Sequence, residues 1–195
     1  MEIAVVDYKG GNVQSVLFAL ERLGASATLT ADPEVLRKAD KVLFPGEGEA
    51  ASAMAALRAA GLDKVLPTLT QPFLGICLGM QLLGEHSEEN DTTMLGLLPF
   101  RVQRFVADPT HKVPHMGWNN LQALQGPLFA GLTEADHVYF VHSFYAPVGP
   151  YTTAQAVHPA PFSAAVQLGN FYGVQFHTEK SGPTGTRILA NFLNL

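Results

Sequence analysis

The sequence predicts an α/β fold with a mainly parallel sheet, helices on both of its faces, and antiparallel strands that extend it. Short β-type runs alternate with longer helical patterns in the first half of the chain, and Gly-rich turns follow several of those runs. Beyond residue 95 the β-type runs follow one another closely, which indicates antiparallel strands. With 195 residues and no repeat or linker, residues 1–195 are expected to form a single domain.

Local signals define the elements of the first half. Asp32-Pro33 is a helix-start signal, Gly61 closes an Ala-rich helix, and the apolar run 73–76 is typical of a buried strand. The expected order is strand 3–6, helix 13–23, strand 27–29, helix 33–39, strand 41–44, helix 50–60, strand 73–76 and helix 80–86. In the second half we expect strands at 100–102, 138–141, 164–166 and 171–176, and a terminal helix at 187–193.

Charge and composition exclude several classes of function. The chain has 12 Lys and Arg against 17 Asp and Glu, and it lacks the basic runs that nucleic acids or anionic membranes attract. The most apolar stretch, 73–83, is too short for a membrane span. A single cysteine cannot form an internal disulfide, and residues 1–7 lack the basic region of a secretory signal. A cytoplasmic protein with neither nucleic-acid nor membrane partners is expected.

The motif Gly75-Ile76-Cys77-Leu78-Gly79 has the form of a nucleophile elbow with cysteine as the nucleophile. It lies between a predicted strand and a predicted helix. Flanking glycines let neighbouring backbone approach a strained turn, and a helix N-terminus favours a thiolate. The competing interpretation is a small buried core residue, which is what most lone cysteines are.

A nucleophilic thiol needs a base, and the end of the last predicted strand offers one. His177 and Glu179 are two residues apart, on the same side of an extended chain, so the carboxylate can orient the imidazole. Taken alone, such a pair is also common at solvated strand ends. Together with Cys77, it predicts a Cys-His-Glu triad for acyl transfer.

An acyl-transfer site also needs hydrogen-bond donors for an oxyanion. The backbone N–H of Leu78 follows the nucleophile, and the loop Gly46-Glu47-Gly48 follows an earlier strand at the same end of the sheet. The loop is equally well read as an ordinary turn between strand and helix. Gly10-Gly11-Asn12 lacks the spacing of a phosphate loop, and the histidines and single cysteine lack metal-ligand spacing, so neither cofactor nor metal is expected.

These motifs together resemble the class I glutamine amidotransferases, most closely the glutaminase subunits of imidazole glycerol phosphate synthase, from end to end. The motifs of the cysteine and the histidine match the superfamily, whereas the others match the glutaminase subunits. They are Gly75 to Gln81, Phe176 to Glu179, Asp7-Tyr8 with Gly11-Asn12, Lys112 to Asn119, and Tyr139 to Ser143. The resemblance implies a flavodoxin-like three-layer sandwich, without cofactor or metal.

The resemblance also implies a role for each site residue. Cys77 would attack the side-chain amide of L-glutamine, His177 would transfer the proton to ammonia, and Glu179 would orient His177. Oxyanion and glutamine binding would fall to Gly46, Glu47, Gly48, Leu78, Gln81, His142, Ser143 and Phe144. A separate cyclase subunit, the partner in a heterodimer, would contact Asn12, Lys112, Pro114, His115, Met116, Trp118, Asn119, Tyr139 and Lys180. Met116 and Trp118 are equally typical of core side chains.

Three residues depart from the pattern of that family. Glu47 stands where valine is usual, Lys9 where glycine is usual, and Thr178 where proline is usual. A carboxylate aimed at an oxyanion site opposes the developing charge, so we expect Glu47 to point away from Cys77. Competing functions are a stand-alone cysteine hydrolase, a glutaminase that serves pyridoxal phosphate synthesis, and a non-catalytic flavodoxin-like binding module.

Overall fold

A computed structural model describes residues 1–10 and 13–195. Its strands are β1 (Ile3–Val6), β2 (Ala27–Thr30), β3 (Lys41–Gly46), β4 (Phe73–Cys77), β5 (His86–Ser87), β6 (Thr92–Thr93), β7 (Arg101–Arg104), β8 (His115–Asn120), β9 (His137–His142), β10 (Phe144–Tyr145), β11 (Thr152–Val157), β12 (Pro161–Leu168) and β13 (Phe171–Val174). Its α-helices are α1 (Val13–Arg22), α2 (Pro33–Lys38), α3 (Ala50–Ala59), α4 (Leu62–Val65), α5 (Leu78–Gln81) and α6 (Gly182–Leu193).

The main sheet has seven strands in the order β11-β12-β13-β4-β3-β1-β2. The five strands from β13 to β2 are parallel to one another, whereas β12 is antiparallel to β13 and β11 is antiparallel to β12. This arrangement confirms the predicted parallel sheet with an antiparallel extension. In parallel strands the carboxyl ends meet at one edge, so the loops after β3 and β4 lie side by side.

Alternating apolar residues give the sheet two buried faces. In β1, Ala4 and Val6 belong to one hydrophobic cluster and Ile3 and Val5 to the other, as the two-residue repeat of a strand requires. Helices α2, α3 and α4 cover the first face, and α1 and α6 cover the second, which confirms the three-layer fold. Their core contacts are Leu36, Met54, Leu57 and Leu62 on the first face and Val16, Leu20, Ile188 and Phe192 on the second.

Three details of the sequence prediction are wrong. The expected helix 80–86 is α5, which begins at Leu78 and ends at Gln81; the chain turns at Gly84, and Glu85 N–H donates to the Phe100 carbonyl at 2.9 Å. Residues 100–102 and 138–141 do not extend the main sheet: β7 lies in a four-stranded sheet with β10, β5 and β6, and β9 pairs only with β8. The last strand ends at Val174 instead of 176.

Close backbone packing surrounds the turn after β4. A Cβ added at Gly46 would lie 2.8 Å from the Gly79 nitrogen, and one at Gly75 would lie 2.6 Å from the Gly79 carbonyl oxygen. At Gly79 itself, an added Cβ would overlap the Phe44 carbonyl oxygen of β3. Helix α5 therefore lies directly on β3 and β4, at a distance that only glycine permits.

Replacing Gly79 by alanine should lower the free energy of unfolding by about 3 kcal/mol, because backbone atoms of β3 and α5 must separate. Denaturant unfolding measures the change. Gly96→Ala is the matched control: Gly96 also requires glycine, at φ 66°, but no atom lies within 4 Å of an added Cβ. That control should cost about 1 kcal/mol. Equal costs at the two positions would contradict the close approach.

Candidate active site

Cys77 lies at a sharp bend between β4 and α5. Its φ of 55° and ψ of −112° are unusual for a residue other than glycine, which is the strained turn that the Gly-x-Cys-x-Gly motif predicts. The side chain is 7% exposed, yet it lines a cavity of about 320 Å³. The thiol is thus largely shielded from water but open to a small ligand.

His177 lines the same cavity from the chain that follows β13, and Glu179 contacts its imidazole. The Nδ1 atom of His177 lies 2.7 Å from Glu179 Oε1, and both side chains are buried. Glu179 is in a short 3₁₀ helix, Thr178–Lys180, so the expected extended geometry is wrong even though the expected pair forms. Backbone bonds fix the segment: His177 N–H donates to the Tyr139 carbonyl at 3.0 Å, and Ser181 Oγ–H donates to the His177 carbonyl at 2.6 Å.

The surroundings of His177 favour its charged form. Burial lowers the pKa of the imidazole, but the hydrogen bonds and negative charges of Cys77 and Glu179 outweigh burial and raise this pKa from 6.5 to about 10. The second carboxylate oxygen, Glu179 Oε2, is buried and accepts no hydrogen bond in the part of the chain that the structure describes. At neutral pH the arrangement holds a protonated imidazole between the Cys77 sulfur and the Glu179 carboxylate.

Polar groups line the cavity beyond Cys77. The Gln81 side-chain amide donates to the Phe144 carbonyl and to Gln175 Oε1, each at 2.9 Å, so both of its N–H groups are used. Its oxygen accepts no hydrogen bond from the described residues and is left for a ligand. The predicted residues that line the cavity are Glu47, Gly48, Cys77, Leu78, Gln81, His142, Ser143, Phe144 and His177. Gly46 lies behind them, paired in register with Cys77.

Sequence reasoning missed Glu89 in the cavity wall and Gln175 next to the Cys77 sulfur. Glu89 lines the cavity from the turn after β5, and its Oε2 accepts a hydrogen bond from the Ala50 backbone N–H at 2.7 Å. Burial raises the pKa of Glu89, while the Ala50 N–H opposes that rise. Gln175 contacts the Cys77 sulfur from behind. Neither belongs to a spacing pattern that indicates chemistry, since each reaches the site only through the tertiary fold.

The departures from the family pattern fall around the site. Glu47 is exposed and lines the cavity, and no hydrogen bond among the described residues joins its carboxylate to Cys77; that its side chain points away from Cys77 stays a prediction. Nearby, the buried Tyr8 hydroxyl lies close to the Glu47 backbone amide but outside hydrogen-bond geometry. Lys9 has a φ of 62°, which explains why glycine suits its position. The Thr178 hydroxyl is buried and has no partner within the described ranges.

A chain of hydrogen bonds links strand β8 to the cavity wall. His142 Nδ1 lies 2.8 Å from the Phe144 carbonyl, so this nitrogen carries the proton. Its Nε2 must then accept from His115 Nδ1, at 3.1 Å, and His115 Nε2 accepts from the Asn119 amide at 3.3 Å. Both histidines are therefore neutral. Burial, with the nearby His158, lowers the pKa of His115 to about 4, and burial lowers that of His142 to about 3.

The residues predicted to face a partner are mostly exposed on the hairpin β8–β9 and the segment before it. Met116 and Trp118 are 63% and 58% exposed, so the alternative that they are core residues is wrong. Trp118 contacts Tyr139 ring to ring at 5.9 Å. Among the remainder, Lys112, Pro114 and Lys180 are exposed, Asn119 is half-buried, His115 is buried beneath this face, and Asn12 lies outside the described residues.

Across residues 1–10 and 13–195, no group of three or more metal-binding side chains is found, and no helix there is long and apolar enough to cross a membrane.

The chain matches the family described as glutamine amidotransferase class-I over residues 4–195. It is 53% identical over 196 residues to the imidazole glycerol phosphate synthase subunit HisH of Bacteroides thetaiotaomicron, with all of both chains covered. The chain belongs to the HisH family of class-I glutamine amidotransferases.

Other comparisons agree with this family. The amidotransferase is 50% identical over 194 residues to HisH 2 of Legionella pneumophila (strain Paris), covering 99% of this chain and 98% of that one. Its fold matches a crystal structure of a glutamine amidotransferase with a TM-score of 0.76, at 20% identity and 98% and 97% coverage. It also matches PurLQS from Thermotoga maritima with a TM-score of 0.69, at 19% identity and 99% and 97% coverage. These structures confirm the fold class.

Glu179→Gln should lower the pKa of His177, because the carboxylate charge that favours the imidazolium is removed. The wild-type pKa of about 10 exceeds the unfolded value of 6.5. Protonation of His177 therefore stabilises the fold fully below pH 6.5, and this contribution is lost as pH rises to about 10. NMR titration of labelled histidine, with unfolding measured at pH 6.5 and 9, tests both effects. Exposed Glu134→Gln is the control, and an unchanged His177 titration in Glu179→Gln would contradict the charge argument.

Acid should destabilise the protein through the neutral pair His115 and His142. Their folded pKa values of about 4 and about 3 lie below the unfolded value of 6.5, so the unfolded chain binds more protons as pH falls from 6.5 to 4. The free energy of unfolding should fall by up to about 1.4 kcal/mol per pH unit for each histidine. Denaturant unfolding from pH 7 to 4 should show a shallower fall in His115→Gln. Exposed His137→Gln should keep the wild-type slope, and an equal slope in all three proteins would refute the assignment.

Proposed function

We propose that this chain hydrolyses L-glutamine to glutamate and ammonia and delivers the ammonia to a cyclase subunit of imidazole glycerol phosphate synthase. The observation that carries the proposal is the strained Cys77 thiol, facing a cavity beside the buried pair His177 and Glu179. Whole-chain identity with relatives named as HisH subunits supports the same reaction and its place in histidine biosynthesis. A cytoplasmic location suits this metabolism.

Chemistry begins with the Cys77 thiolate attacking the carbonyl carbon of the glutamine side-chain amide. The Leu78 N–H and an amide of the Gly46–Gly48 loop stabilise the oxyanion, a contribution worth about 10²–10³ in rate for each donor. The His177 imidazolium gives its proton to the departing nitrogen, and ammonia leaves. His177 is then neutral and takes a proton from water, which cleaves the thioester to glutamate and restores the thiolate.

Glutamine has an α-ammonium and an α-carboxylate, and the cavity offers partners for both. Gln81 Oε1 is an unused acceptor, and the Glu89 carboxylate lies at the cavity wall, so these two groups suit the ammonium. The segment Ser143–Phe144 lines the opposite wall and suits the carboxylate end. His142 holds that segment through the Phe144 carbonyl rather than contacting glutamine directly.

The exposed aromatic and apolar side chains of the β8–β9 hairpin form the surface for the cyclase. Ammonia released into water near neutral pH is mostly protonated and unreactive, so direct docking of the two subunits preserves the nucleophile. The hairpin is also joined to the triad through the backbone of Tyr139. The Tyr139 carbonyl accepts from His177 N–H, and the Tyr139 N–H donates to Ser181 Oγ at 2.9 Å. In the cyclase, ammonia reacts with a phosphorylated aminoimidazole carboxamide intermediate to give imidazole glycerol phosphate and an aminoimidazole carboxamide ribonucleotide.

Mixing the chain with a purified cyclase subunit should raise the rate of glutamate release, and acceptor substrate should raise it further. Trp118→Ala should reduce this stimulation at least ten-fold at fixed subunit concentration, because aromatic anchors dominate interface energies. Leu168→Ala is the matched control: Leu168 is 50% exposed but lies in β12 next to Phe171, at the end of the sheet away from Cys77.

Glutamate release without any response to the cyclase would favour a glutaminase of another pathway. No glutamate release under any condition, with the thiol active toward other acyl compounds, would indicate a stand-alone cysteine hydrolase. Cys77→Ala should remain folded and lose all glutamine hydrolysis; retained hydrolysis would refute the proposed triad.

A further inference from the structure

Gln175 contacts the reacting sulfur, although the triad mechanism gives it no role. It follows β13 directly, two residues before His177, and its side chain is fully buried. Its backbone N–H donates to the Ala164 carbonyl of β12 at 2.8 Å, which fixes the backbone from which the side chain extends. The side-chain Nε2 donates to Cys77 Sγ at 3.8 Å.

The orientation of the Gln175 amide is fixed by the hydrogen bond that its oxygen, Oε1, accepts. Gln175 Oε1 accepts from Gln81 Nε2 at 2.9 Å, and that same Gln81 nitrogen donates to the Phe144 carbonyl. Rotating the Gln175 amide by half a turn would place its NH₂ group against the NH₂ group of Gln81. The Gln81 amide cannot turn either, because its oxygen would then face the Phe144 carbonyl. The N–H of Gln175 is therefore held toward the sulfur by groups of the glutamine-binding wall.

A donor aimed at sulfur favours the thiolate over the thiol, since a hydrogen bond to an ionised acceptor is stronger than one to a neutral acceptor. The same preference applies when the thioester is cleaved and the sulfur leaves with a negative charge. Gln175 is fully buried and does not line the cavity, so its amide does not obstruct glutamine.

We propose that Gln175 is a positioning residue for the nucleophile: its amide holds the Cys77 sulfur as a thiolate and joins it to Gln81 in the glutamine-binding wall. This inference rests on the proposed function, in which Cys77 is the nucleophile. The competing interpretation is a buried amide that only joins strands. That interpretation predicts a loss of stability on substitution, without any change in the ionisation of the thiol.

Gln175→Met tests the inference, because methionine keeps the length of the side chain and removes the donor. Alkylation of Cys77 by iodoacetamide should slow about ten-fold at pH 6.5 and approach the wild-type rate at pH 9, as expected when a hydrogen bond to a charged group is lost. The kcat for glutamine should fall about ten-fold at pH 7, with KM within three-fold of wild type. In Gln175→Glu, a carboxylate beside the sulfur should shift the alkylation profile further in the same direction.

Ser163→Ala is the matched control for losing a buried polar group. Ser163 is fully buried in the neighbouring strand β12, and its hydroxyl contacts Thr152 and the Pro147 carbonyl, away from the cavity. Its alkylation profile should be that of wild type. A wild-type profile in folded Gln175→Met would overturn the inference.

A measurement on the unsubstituted protein covers the case in which the variants do not fold. In protein labelled with ¹⁵N-glutamine, the Nε2 signal of Gln175 should shift when Cys77 titrates and again when it is alkylated. The signal of Gln71, which precedes the start of β4 and donates to the Leu36 carbonyl, should not shift. No shift of the Gln175 signal would refute the inference. Failure of the proposed function is separate, since it would appear as glutamine hydrolysis that survives in Cys77→Ala.

Discussion

The site depends on the approach of three backbone segments that meet without side chains between them. Gly46, Gly75 and Gly79 bring β3, β4 and α5 so close that an added methyl group at any of them overlaps a neighbouring backbone. This contact holds Cys77 at its unusual φ and places the Gly46–Gly48 loop beside Leu78. Tight packing and backbone strain are therefore one feature here: the packing supplies the free energy that keeps the strained residue in place.

Histidines of this protein show how surroundings decide charge. His177 and the pair His115 and His142 are all buried, and burial alone lowers the pKa of each imidazole. His177 also contacts two anionic groups, so it holds its proton. His115 and His142 contact a carbonyl, an amide and each other, and that chain requires one bare nitrogen on each ring. One residue type is thus protonated beside Cys77 and neutral beneath the β8–β9 hairpin, and the proposed mechanism uses the first as its acid.

Sequence reasoning predicted the layers, the main sheet and the meeting of Cys77, His177 and Glu179, because hydrophobic periodicity and strand-end position determine them. It failed where tertiary contacts override local pattern. Helix α5 ends at Gln81 because the chain turns to pair with Phe100, and Glu179 lies in a 3₁₀ turn that the extended pattern of its neighbours does not indicate. Glu89 and Gln175 escaped notice because long-range hydrogen bonds, rather than any spacing in the sequence, place them at the site.

The β8–β9 hairpin connects the exposed face to both halves of the site. Through the Tyr139 backbone it holds the segment of His177, and through His115 and His142 it holds the Phe144 carbonyl, which also accepts from Gln81. Gln175 extends this hydrogen-bond network to the nucleophile, because its side chain joins Gln81 to the Cys77 sulfur. A shift of the hairpin by a few tenths of an ångström must therefore be absorbed at the base, at the glutamine wall or at the nucleophile. In the proposed complex, docking on Trp118 and Met116 would act on the hairpin that carries these bonds, which would give a partner physical access to catalysis without contact with glutamine.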